Sequence, residues 1–133
     1  MDIKKLVEGL KVNEVLTWDE VRALRAEYVE LAKPIYDDLK VIAEKADADK
    51  ISVHPLAKLL QDKDYVTHHA PGVGFLDYID IPCELKEGVM AKFTIETSCR
   101  EGIEHPVRLR TECYISSDDT DFFVDMETGK ITA

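Results

Sequence analysis

From Val21 to Ala46, apolar residues recur every three or four positions: Val21, Leu24, Tyr28, Leu31, Ile35, Leu39, Ile42 and Ala46. That is the period of one buried helical face. Arg22, Glu27, Glu30, Lys33, Asp37, Lys40 and Glu44 fill the other side. The pattern predicts one long helix over about 18–47. Just before it, Thr17 and Glu20 have capping-box spacing: the hydroxyl takes a backbone N–H and the carboxylate reaches back. Pro34 lies inside the stripe. It has no N–H and crowds the carbonyl of Glu30, so a kink is expected there. The stripe keeps its phase across the proline, which favours a kink over a break. Upstream, Ile3, Leu6, Val7 and Leu10 form a shorter amphipathic stripe. Downstream, Ser52 stands at a cap position and Pro55 suits a first turn. Leu56, Leu59 and Leu60 then predict a second, shorter helix with these leucines inward.

From Val73 onward the period is two. "VGFLDYIDIP", "GVMAKFTIETSCR", "EHPVRLRTECYIS" and "DFFVDMETGKIT" read as strands with short connections, so neighbours are expected to be antiparallel. "ETGK" reads as a turn that adds a short last strand through Ile131. Two of these strands carry enough charge to fix a register. Val89, Ala91, Phe93, Ile95, Thr97 and Cys99 share one face, as do Val107, Leu109, Thr111, Cys113 and Ile115. Both sets face the core, so paired residue numbers sum to an even value. A sum of 204 sets Arg100 opposite Glu104, Glu96 opposite Arg108 and Lys92 opposite Glu112. A sum of 206 keeps only Glu96 with Arg110. The first register is therefore expected.

These elements predict a single α+β domain over 1–133, with a helical half at 1–66 and a sheet half at 73–133. The N-terminal helices, one long and kinked near Pro34, pack on one face of a 4–5-stranded antiparallel meander.

Composition narrows the function classes. The chain has 133 residues, 45% hydrophobic and 33% charged. That is too apolar for a disordered chain, and no apolar run reaches the roughly 20 residues of a spanning helix. The N-terminus has early acids and no long apolar run, so no secretion signal is expected and the protein is placed in the cytoplasm. Seventeen basic and 27 acidic residues give a net charge of −10. Such a field repels phosphate backbones and anionic lipid, so neither nucleic acid nor membrane is an expected partner. Cys83, Cys99 and Cys113 lack CxxC spacing and are expected as reduced thiols.

Three groups of residues carry candidate chemistry. The expected register puts Cys99 opposite His105, two potential zinc ligands that His68, His69 or Cys83 could complete. The simpler expectation is that Cys99 caps the core, His105 packs beneath the loop and no cofactor is bound, zinc being the one the pattern leaves open. "VTHHAPGVGF" places His68 and His69 in a flexible lead into the first strand, and histidine serves as base, ligand or pH-sensitive contact. A pocket between helices and sheet would draw on His68, His69, Asp77, Tyr28, Tyr36 and Tyr78. Finally, Asp118, Asp119, Asp121, Asp125 and Glu127 form an acidic edge with no base between Arg110 and Lys130. Their spacing is not that of a calcium-binding loop. No GxSxG, phosphate-cradling glycine loop or HExxH is present. The expected function is therefore a small acidic, non-enzymatic interaction protein, such as an inhibitor, immunity factor or accessory subunit, that engages a basic protein. The alternative is a small-molecule-binding or enzymatic domain with its pocket near His68 and His69. An unpaired final strand could also close a homodimer by edge pairing.

Overall fold

The computed structural model describes residues 25–71, 76–98, 107–117 and 120–132. The stripe at 2–10, the capping box at 17–20, the Arg100–Glu104 pair and the Cys99–His105 pair lie outside these residues. A π-helical turn, Arg25–Val29, leads into helix α1, Glu30–Ala48, and α2 follows at Val53–Asp62. The strands are β1 (His68–Pro71), β2 (Leu76–Lys86), β3 (Val89–Ser98), β4 (Arg108–Leu109), β5 (Glu112–Ser117), β6 (Thr120–Asp125) and β7 (Ile131–Thr132). They form one sheet in the order β1-β2-β3-β5-β6-β7, with β4 also on β3. The fold is thus α+β with an antiparallel sheet, of seven strands among the described residues rather than four or five. No helix among the described residues is long and apolar enough to cross a membrane.

Two sequence features account for the extra strands. Pro71 and the glycines after it mark a loop, yet His68–Pro71 pairs with Asp77–Asp80. β1 ends the strand order, and an edge strand tolerates the N–H that proline lacks. The stretch expected as one strand, 104–116, is interrupted at Thr111. Its carbonyl accepts the Met126 N–H at 2.8 Å and its hydroxyl donates to Asp125 at 3.1 Å, so β4 and β5 are separate.

α1 runs through Pro34 without a break. Pro34 and Glu30 are both exposed, so the carbonyl that proline leaves unpaired faces solvent. The irregular backbone lies one turn earlier, in the π turn. The buried face of α1 is Ala32, Tyr36, Leu39, Ile42, Ala43 and Ala46; Leu31 is 40% exposed and Ile35 only half-buried. Tyr28, Leu39, Ile42 and Ala46 are thus buried as expected, but at Leu31 and Ile35 the stripe is off by one residue, because the alanine and tyrosine beside them signal burial less strongly than leucine and isoleucine. In α2 the inward residues are Val53, Leu56 and Leu60, with Leu59 turned outward. Ser52 holds the N-cap position, but its side chain makes no capping hydrogen bond.

Both helices end in the same way. Ile51 N–H reaches Ala46 O and Lys50 N–H reaches Asp47 O; Tyr65 N–H reaches Leu60 O and Asp64 N–H reaches Gln61 O. These are paired Schellman closures, with Lys50 (φ 53°) and Asp64 (φ 67°) in the left-handed position that glycine normally takes.

The chain divides into two compact units. One comprises Met1–Tyr36, Glu84–Ala91 and Thr111–Ala133; the other comprises Asp37–Cys83 and Lys92–Arg110. α1, β2 and β3 contribute to both. In the first unit Val89, Ala91, Cys113, Ile115, Phe122, Val124 and Ile131 are buried with Tyr28, Val29, Ala32 and Tyr36. In the second, Ile79, Ile81, Phe93, Ile95, Val107 and Leu109 are buried with the rest of α1 and the inner face of α2. Every buried strand residue here alternates with a more exposed one except at Thr94, so the period-two reading of the inner face holds.

Candidate functional site

The histidines lie in the second unit. β1 pairs with β2 so that His68 opposes Asp80 and His69 opposes Ile79. Opposed residues share a face, which puts His69 with Asp77 on the inward side and His68 on the outward side. His69 Nε2 stands 3.5 Å from Asp77 Oδ1, with Asp77 mostly covered. His54, in the first turn of α2, lies edge-on to the His69 ring at 6.2 Å. His54 carries no local signal, since its contact joins elements 15 residues apart and no short-range spacing encodes it. Among the described residues, no three histidine, cysteine or acidic side chains are placed to hold a metal ion. Cys83 and Cys113 are free thiols. Burial pushes the Cys83 thiol above its ordinary range, which makes it a poorer nucleophile and ligand.

The other expected pocket residues have neighbours of their own. Tyr78 follows Asp77 on β2 and so points to the opposite face, where the Arg110 guanidinium lies 4.7 Å above its ring. Tyr28 and Tyr36 belong to the first unit. Tyr28 packs its ring 6.0 Å from Phe122 under the Lys86 ammonium, and the Tyr36 hydroxyl donates to Glu127 Oε1 at 3.3 Å. Both rings are core residues.

Beside Tyr78, the expected register is present: Glu96 opposes Arg108 and Ile95 opposes Leu109, both sums being 204. Glu96 accepts from Arg108 Nη2 at 2.7 Å and from Arg110 Nε at 2.5 Å, one on each oxygen. Burial of Glu96 pushes its carboxyl up, but the two guanidiniums outweigh burial and hold it below the usual range. A depressed carboxyl contributes stability that is present above its unfolded pKa, about 4.3. That stability is lost as pH falls through the lower folded value. Wild type is therefore expected to exceed Glu96→Gln in stability at pH 7, and the gap to close progressively below about pH 4. Urea titrations at pH 7, 4 and 3 check this; a gap independent of pH contradicts it.

The acidic edge resolves into parts with different duties. Asp118 and Asp119 lie outside the described residues. Asp125 closes the turn before β7: Oδ1 accepts the N–H groups of Glu127 and Thr128, both at 2.9 Å, and Oδ2 accepts the Thr111 hydroxyl. Burial opposes ionisation of Asp125, yet these bonds prevail and its carboxyl is held low. Glu127 receives the Tyr36 hydroxyl. Neither is a spare charge.

What remains forms a ladder on the outward face of β5 and β6. The register sets Glu112 opposite Asp125, Tyr114 opposite Phe123 and Ser116 opposite Asp121. The alternate residues Cys113, Ile115, Phe122 and Val124 are buried on the other face. The Tyr114 and Phe123 rings meet at 5.0 Å, tilted by 51°, and both are half-buried. Glu112 and Asp121 are exposed, and Glu112 enters no ion pair with a described residue. The Tyr114 hydroxyl hydrogen-bonds to Asp121; burial, this bond and the Asp121 charge all raise the phenol's pKa. On neighbouring β3, Met90 faces outward between buried Val89 and Ala91 and is 40% exposed. An aromatic pair between acidic rungs is suited to apolar and cationic side chains together. Composition exposes the acids of this stretch but not the pair Tyr114 and Phe123, which depends on the β5–β6 register. Comparison with protein-family models, curated proteins and solved structures finds no significant match for this chain.

Proposed function

We propose that this chain is a small acidic, non-enzymatic interaction protein that engages a basic protein surface through the outward face of β5 and β6. The observation that supports it is the acid–aromatic–acid order of that face: the Tyr114–Phe123 pair with Glu112 to one side and Asp121 to the other. The rings offer apolar area at low entropic cost, as aromatic residues do at binding hot spots. The carboxylates and the net charge of −10 speed encounter with a cationic partner and oppose acidic ones. Free thiols at Cys83 and Cys113 suit action in the cytoplasm.

The test is capture from native lysate with the full chain as bait, washed at low and at high salt. The expected result is one or a few basic proteins retained at low salt and released at high salt. Bait carrying Glu112→Lys with Asp121→Lys is expected to retain none of them. Capture of nothing at either salt, or capture indifferent to the double reversal, rejects the proposal.

A further inference from the structure

We infer that the β5–β6 face reads an extended segment of its partner, with cationic side chains two residues to either side of an apolar one. The inference rests on the reading that the partner is basic, and it adds the spacing. Three rungs share this face: Glu112 with Asp125, Tyr114 with Phe123, and Ser116 with Asp121. Along a strand, side chains on one face recur every two residues, about 6.6–6.8 Å apart. An extended segment lying along β5 has the same repeat. Its residues i, i+2 and i+4 meet the three rungs in turn. A helix does not match as evenly, because its rise of about 1.5 Å per residue places nine residues across the same two intervals.

Each rung asks for a different side chain. At the first, exposed Glu112 supplies the carboxylate, while Asp125 opposite it is committed to its own turn. At the third, exposed Asp121 stands with neutral Ser116. Both ends call for Lys or Arg. The central rung is two tilted rings, with the Tyr114 hydroxyl tethered to Asp121. It calls for an aliphatic side chain. An acidic residue at either end of the segment would face a carboxylate, which supplies discrimination as well as attraction.

The test uses the intact protein and two synthetic peptides of identical composition. One contains Lys-Thr-Leu-Thr-Lys; in the other the two lysines are adjacent and the leucine is terminal. Aromatic ring signals of Tyr114 and Phe123 are followed by NMR during titration. The alternating peptide is expected to shift both rings and to bind at least about fivefold more tightly than the scrambled one. Glu112→Gln with Asp121→Asn is expected to abolish that difference. Equal affinity for the two peptides overturns the spacing inference while leaving the basic-partner reading intact. Absence of any ring shift, with lysate capture still dependent on Glu112 and Asp121, also overturns it alone. Loss of both results removes the functional reading itself.

Discussion

Phe122→Ala is expected to lower the unfolding free energy by about 3–5 kcal/mol, while the same change one residue later, Phe123→Ala, costs about 1–2 kcal/mol. The two phenylalanines are neighbours on β6 and point to opposite faces. Phe122 is almost wholly buried and lies against the Tyr28 ring. Its truncation leaves a cavity that the sheet backbone holds open. Phe123 is half-buried and loses mainly its contact with Tyr114. For a domain whose total stability is on the order of 5–15 kcal/mol, the first change threatens folding and the second does not. Urea unfolding of both variants reads the difference. Equal costs would mean that the β5–β6 face assignment is wrong.

Glycine at the two helix closures is expected to act in the other direction. Lys50 and Asp64 occupy left-handed backbone, where a side chain's Cβ crowds the following carbonyl at a cost of roughly 1–2 kcal/mol per residue. Glycine removes that crowding but loses more freedom on folding, so only part of the gain survives. Lys50 also gives up a surface contact, and such contacts contribute roughly 0–1 kcal/mol. Lys50→Gly with Asp64→Gly is therefore expected to stabilise the protein by about 1–2 kcal/mol and raise its melting temperature by several degrees. Calorimetry decides it. Unchanged or lower stability would show that these closures are not strained as described.

Much of this architecture was legible in the residues, for reasons that are local. The register of β3 against β4 follows from counting opposite-charge pairs, of which Glu96 with Arg108 is formed, and from the rule that inward faces must match. α1 and α2 follow from apolar spacing alone. The misreadings also have physical sources. Ala32 and Tyr36 signal burial weakly, so apolar spacing points to Leu31 and Ile35 in their place, while Leu39, Ile42 and Ala46 are buried as it predicts. β1 was hidden by Pro71, whose missing N–H is harmless at a sheet edge.

The site was only half legible. Acidic residues at 118–127 stand out in composition, but composition does not distinguish Asp125, consumed by its own turn, from Asp121, which remains exposed. Tyr114 and Phe123 become a pair only through a register set by the β5–β6 connection. His54 meets His69 only in three dimensions.

The proposed working surface is the outward face of β5 and β6. Its most direct measurement is the affinity of a captured basic partner for two charge-matched variants, each exchanging two acids for lysine. One carries Glu112→Lys with Asp121→Lys; the other carries Glu30→Lys with Glu44→Lys on the exposed side of α1. Both change the net charge equally. The first is expected to weaken binding by about 100-fold or more and the second by less than about fivefold. Equal losses would show that the partner senses bulk charge alone, and a larger loss from the α1 variant would move the binding surface to the helix.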